Sequence, residues 1–182
     1  MSKKRKIFNW VIFGLAIAIN VFILVNAFLD GATSSKESDG FSHAAADVIN
    51  SISADTITKE NFPAFAGFNR KLFGHFLLFV LSGLTTTFSI HNFIKHPKFG
   101  KSYLILAFSM AFGVVFATLS ELAQFVTDGR VFAFTDILID SGGYLLGNLI
   151  IFIILFVSER KKQKNPELQW NYQQFLVKTQ KL

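Results

Sequence analysis

The chain has 182 residues, of which 51% are hydrophobic and only 16% charged, and 23 are phenylalanine. This excludes an ordinary soluble domain, and the absence of cysteine excludes disulfides, thiolate chemistry and Cys-based metal sites. The net charge of +6 does not point to nucleic acid, because the basic residues flank apolar runs, where they set membrane topology.

Four apolar runs, 7–29, 72–90, 102–120 and 137–157, are each long enough for a transmembrane helix. About 20 residues at 1.5 Å rise cross the hydrocarbon core. The expected fold is therefore all-α: a polytopic four-helix membrane bundle with an extracytoplasmic insert after the first span. The first run follows Lys3, Lys4, Arg5 and Lys6 and ends near a weak Val25-Asn26-Ala27 cleavage pattern. Its apolar core exceeds the 7–15 residues usual for a signal peptide, so an uncleaved anchor is expected.

Segment 30–69 forms the insert. Residues Gly31 to Gly40 are rich in Ser, Gly and charge and read as a mobile stretch. Ser42 is placed to cap a short helix with Ala45, Val48, Ile49 and Ile52 on one face. Such a helix suits the membrane surface or the top of the bundle. Thr58 begins a further turn ahead of Pro63.

Segment 70–158 holds the other three spans, each with a polar or small-residue stripe. His75, Ser82 and Ser89 are seven apart on the second, with Thr86 nearby. Ser109, Gly113, Ala117 and Glu121 are four apart on the third, and Gln124 extends the row if the helix continues. Asp136, Asp140, Gly143 and Gly147 follow one face of the fourth. Gly113-x-x-x-Ala117 and Gly143-x-x-x-Gly147 permit close helix approach, so packing is their expected role. Asn20, Asn26 and Asn148 are placed for hydrogen bonds between helices. His43, His91 and His96 read as ordinary loop or interfacial residues.

Segment 159–182 is a basic tail. Leu168, Tyr172, Phe175, Leu176 and Thr179 share a helical face, and Trp170 and Tyr172 suit a membrane interface. The tail, the N-terminus and Lys95, Lys98 and Lys101 together carry 13 basic and 2 acidic residues, against 5 basic and 10 acidic in 30–71 and 119–140. The positive-inside rule then places both termini in the cytoplasm and the acidic segments outside.

With that topology His75, Glu121, Asp136 and Asp140 fall at one membrane level. Ionisable groups there face the bundle or water and are functional candidates by default. Arg130, on the return loop, is expected to close the cluster as counter-ion and bidentate donor. Arg70 and Lys71 read as snorkelling anchors, and with Arg130 they could hold a phosphate headgroup. A purely structural ion-pair network is the competing reading.

Ser120-Glu121-x-x-Gln124, Arg130, Asp136-x-x-x-Asp140-x-Gly142-Gly143 and Gly147, preceded by Arg70-Lys71 and His75-Phe76, resemble the signature of the VanZ-like membrane proteins. The resemblance covers residues 70 to about 157. It implies a process rather than a reaction, because the family is named for an accessory protein linked to resistance against teicoplanin-type glycopeptides. The expected partners are membrane lipids, with a lipid-linked envelope precursor or a glycopeptide as further candidates. A homo-oligomer is also open. The expected location is the bacterial plasma membrane.

Two functions compete at this stage. One is a non-catalytic envelope factor that binds a headgroup or partner at the outer cluster. The other is an enzyme acting on a lipid-linked substrate, with His75 as general base and Glu121 or Asp136 as acid or metal ligand. Mg²⁺ or Zn²⁺ would be the candidate ions, but no strong metal spacing occurs. No cofactor is expected. Charges at only one end of four spans provide no polar path across the membrane, which speaks against a transporter.

Overall fold

The computed structural model describes residues 3–93 and 99–164. Among these residues all regular structure is helical, and four helices are long and apolar enough to cross a membrane: Lys6–Ala27, Phe62–Phe93, Tyr103–Phe125 and Phe134–Ser158. The amphipathic tail expected over 166–182, and His96, lie outside the described residues.

The first span is α1 (Lys3–Ala27). Only 17% of its apolar window is buried, because most of its side chains face outward. Its inner face runs through Asn9, Ala16, Ile23 and Ala27, at steps of seven, seven and four residues. Asn20 lies on that face and ties α1 to the second span. Its Oδ1 accepts from Ser82 Oγ at 2.9 Å, and its Nδ2 donates to Thr86 Oγ1 at 3.2 Å. Such membrane hydrogen bonds contribute about 0.6 kcal/mol each. The two other asparagines behave differently. Asn26 bonds within its own helix, to Phe22 O at 2.9 Å. Asn148 is fully buried, and among the described residues neither of its side-chain polar atoms has a hydrogen-bond partner.

The insert departs most from expectation. Gly31 to Gly40 is not a loose stretch but the first half of α2 (Gly31–Ile52). Asp30 is its N-cap, accepting from Thr33 N at 2.8 Å and from Thr33 Oγ1 at 2.8 Å. These bonds to Thr33 hold the Asp30 carboxyl below its ordinary pKa. Ser42 is no cap. It is buried in mid-helix and accepts a long hydrogen bond from Asn69 Nδ2 at 3.5 Å. The packed face is Ser42 and Ala46, against α3, whereas Val48 and Ile52 are exposed. Thr58 does open a turn: its carbonyl accepts from Phe62 N at 2.9 Å.

The second span begins ten residues, nearly three turns, before its apolar run suggests. It consists of α3 (Phe62–Asn69), a π-helical segment (Arg70–Leu77) and α4 (Leu78–Phe93). Pro63 sits in the first turn of α3, where its missing N–H is harmless. Arg70 and Lys71 interrupt the hydropathy but not the helix. The third and fourth spans are α5 (Phe99–Phe125) and α6 (Phe134–Lys164).

Helix α6 packs most extensively on α4 and then on α5, while α1 packs on α4. Ile23, Phe79, Phe116, Ala117 and Tyr144 form the buried centre. The glycine stripes position it. A Cβ on Gly143 would strike the Phe76 carbonyl, and one on Gly147 would strike the Val80 carbonyl. Gly113 makes room for the ring of Tyr144. The Tyr144 hydroxyl lies 3.2 Å from Ser109 Oγ, which lies 2.8 Å from Thr87 Oγ1. Gly31 N–H donates to the Asp128 carbonyl at 3.0 Å, so the start of α2 and the return loop 126–133 meet at one end of the bundle.

Candidate functional site

The α2 end of the bundle holds the polar residues. The π-helical segment sets their directions. In an α-helix, residues five apart diverge by roughly 140°. In a π turn, with its i→i+5 bonds, they come close to stacking. Arg70 and His75 thereby line the same cavity, with Gly74 between them.

His75 is the hub of one half of the site. It is 8% exposed, and its Nδ1 lies 3.1 Å from Asp140 Oδ1. Its Nε2 lies 4.0 Å from Asp136 Oδ2, and Asp136 Oδ1 lies 3.4 Å from Lys71 Nζ. The order Lys71, Asp136, His75, Asp140 alternates acid and base across the π segment and α6. Asp140 has no solvent exposure, and its Oδ2 has no hydrogen-bond partner among the described residues.

Arg130 is the hub of the other half, and it does not do what the sequence suggests. The expected ion pair with the carboxylates is absent among the described residues. Instead Nη1 donates to Gln124 Oε1 at 2.7 Å, Nη2 to the Asn26 carbonyl at 3.1 Å and Nε to the Leu29 carbonyl at 3.3 Å. The fork therefore clamps the end of α1 to α5 and the return loop, using neutral oxygens. Burial first, and repulsion by Arg70 second, lower the Arg130 pKa from its ordinary value. A guanidinium nevertheless stays charged.

Glu121 makes no hydrogen bond or ion pair with either hub among the described residues, although its charge acts on both. It is 1% exposed, and its Oε1 accepts from Ala133 N at 2.8 Å, so it holds the return loop onto α5. Its Oε2 has no hydrogen-bond partner among the described residues. Among the described residues no group of three His, Asp or Glu side chains is arranged to hold a metal ion.

A cavity of about 340 Å³ joins the two hubs. His75, Gln124, Arg130 and Asp140 line it, and so does Arg70; Lys71, Glu121 and Asp136 do not. The Arg70 guanidinium has no hydrogen bond or ion pair among the described residues, so its donors remain available to the cavity. Helix α2 forms one wall through Ser34, Glu37, Ser38 and Phe41. This wall was missed from sequence. Its signal was a small residue at every fourth position: Ser34, Ser38, Ser42, Ala46. Phe22, Phe41 and Phe73 also line the cavity and are 53%, 50% and 44% exposed. They form an apolar rim above a polar floor.

Fold and site together define a polytopic helical membrane protein with a part-open cavity, lined by both ionisable and apolar side chains, at one end of its bundle. The VanZ/LLP1 family model matches residues 10–156, and the chain belongs to that family. The match reaches well beyond the motif region, beginning within α1. No curated protein and no solved structure gives a significant match.

Proposed function

We propose that this protein is a non-catalytic accessory factor of the bacterial plasma membrane that binds a phosphate-bearing lipid headgroup in the cavity beneath α2. The observation that carries this reading is the combination found in one cavity: the unpartnered Arg70 guanidinium beside Arg130, under a rim of half-exposed phenylalanines. Pockets of about 300–1,000 Å³ with a few converging polar groups are typical of ligand sites. Charge-assisted Arg–phosphate bonds would take the headgroup, and the rim would take the chains. We further link this binding to the cell envelope and the glycopeptide response, as the resemblance to VanZ-like proteins implies. Arg70→Gln removes no hydrogen bond or ion pair among the described residues, so it tests binding with little disturbance of the bundle. Short-chain anionic phospholipids should bind it about tenfold more weakly than wild type, the loss of one charged hydrogen bond. Equal affinity would exclude the site.

A second reading, an enzyme on a lipid-linked envelope substrate, is favoured by the His75–Asp140 pair on the cavity wall, since a buried carboxylate orients a histidine for general-base work. The same lipid incubations decide it. A converted product that disappears with His75→Gln would replace the binding reading with the catalytic one.

The charge distribution supports cytoplasmic termini with α2 outside. The cysteine-free chain makes this directly measurable. A cysteine at Ser38 should react with an impermeant maleimide on intact cells, and one at Ser158 only after lysis. The reverse pattern would invert the topology.

A further inference from the structure

The cavity is not purely cationic. Two carboxylates, Glu37 on α2 and Asp140 on α6, line it together with the two arginines. Asp140 is the sharper of the two. It is completely buried, His75 occupies only its Oδ1, and Oδ2 faces no donor. A buried acceptor left unmade is costly, and a donor brought by a ligand removes that cost. An anionic group alone would satisfy the arginines but leave Asp140 Oδ2 unpartnered. A diphosphate would also add negative charge beside Glu37 and Asp140. A headgroup with one phosphodiester and one N–H-bearing cation answers both sets of groups within about 340 Å³.

Building on the headgroup reading above, we propose that the cavity selects a zwitterionic aminophospholipid, with its phosphodiester at Arg70 and Arg130 and its ammonium donating to Asp140 Oδ2. The half-exposed rim of Phe22, Phe41 and Phe73 receives the acyl chains, so the ligand is the lipid rather than the free headgroup. Choline is the discriminating contrast, because its quaternary nitrogen has no N–H and cannot reach a carboxylate at hydrogen-bond distance.

The test uses the full chain in detergent with dioctanoyl lipids, and reads affinity by calorimetry. Phosphatidylethanolamine should bind about tenfold more tightly than phosphatidylcholine or phosphatidylglycerol, the loss of one charge-assisted hydrogen bond. Affinity should largely persist through the N-methyl and N,N-dimethyl lipids, which keep an N–H, and drop at phosphatidylcholine, which has none. Asp140→Asn should equalise the series; where that variant does not fold, the methylation series on wild type carries the decision. Free phosphoethanolamine should bind far more weakly than the lipid. A flat methylation series, or tight binding of free phosphoethanolamine, overturns the proposal. If phosphatidylglycerol or a polyprenyl diphosphate binds as well as phosphatidylethanolamine, and Arg70→Gln weakens that binding, the headgroup reading stands while this selectivity fails. If no lipid binds, both fail.

Discussion

Gly147→Leu is expected to lower the thermal unfolding temperature of the detergent-solubilised protein by roughly 6–12 °C, whereas Gly142→Leu leaves it nearly unchanged. The two glycines lie on the same helix, five residues apart, and differ only in what surrounds them. A Cβ at Gly147 meets the Val80 carbonyl and the Leu84 amide, both backbone atoms of α4 that cannot rotate away. A Cβ at Gly142 meets nothing within 4 Å. Relief at Gly147 requires α4 and α6 to separate, and this pair is the most extensive helix contact in the bundle. Overpacking of this kind costs about 3 kcal/mol, and each kcal/mol moves the midpoint of a chain this size by roughly 2–4 °C. Separation also pulls Asp140 on α6 from His75 in the segment leading into α4, so lipid affinity should fall with stability. Equal midpoints for the two variants would refute close backbone approach as the determinant of α4–α6 packing.

That contact was legible in the sequence because its cause is local and periodic. Gly143 and Gly147 repeat at helical spacing, and van der Waals packing of small residues is what holds helices together in lipid. Span positions were legible for the same reason: a bilayer imposes one length on every crossing segment. Three features were not legible. The π-helical turn at Arg70–Leu77 leaves no compositional mark, yet it decides that Arg70 and His75 share a wall. Helix α2 is concealed because serines line its inner face, at the cavity and against α3, where apolar residues would signal burial. Its start depends on a single cap, Asp30, within a stretch whose composition reads as loop. The partners of Arg130 were not legible because spacing shows which charges are near each other in sequence, but not that carbonyls at the end of α1 would be nearer still. In each case the missing information is tertiary: which surface an element meets, rather than what it is made of.

The His75–Asp140 pair lies where the structural and functional readings of the cluster diverge, and variants at its two positions separate them. Asp140→Leu alone should destabilise the protein by about 3–5 kcal/mol, because it leaves His75 buried against an apolar neighbour. His75→Leu alone should be similarly costly, since Asp140 would keep a buried carboxylate with no partner on either oxygen. The double variant should recover most of that loss, because replacing a buried pair by apolar side chains is often near neutral, less the overpacking by a leucine bulkier than the aspartate it replaces. Such a coupling is far larger than the roughly 0.3–0.5 kcal/mol scatter of independent sites, so a double-mutant cycle resolves it. Binding should move the other way. The double variant keeps the bundle but presents two leucines to the cavity, and its affinity for phosphatidylethanolamine should drop to that of phosphatidylcholine. A folded double variant with unaltered lipid binding would make the pair a structural clasp and remove it from the site. Recovery of stability together with loss of binding assigns the cost of this buried pair to the ligand it helps to hold.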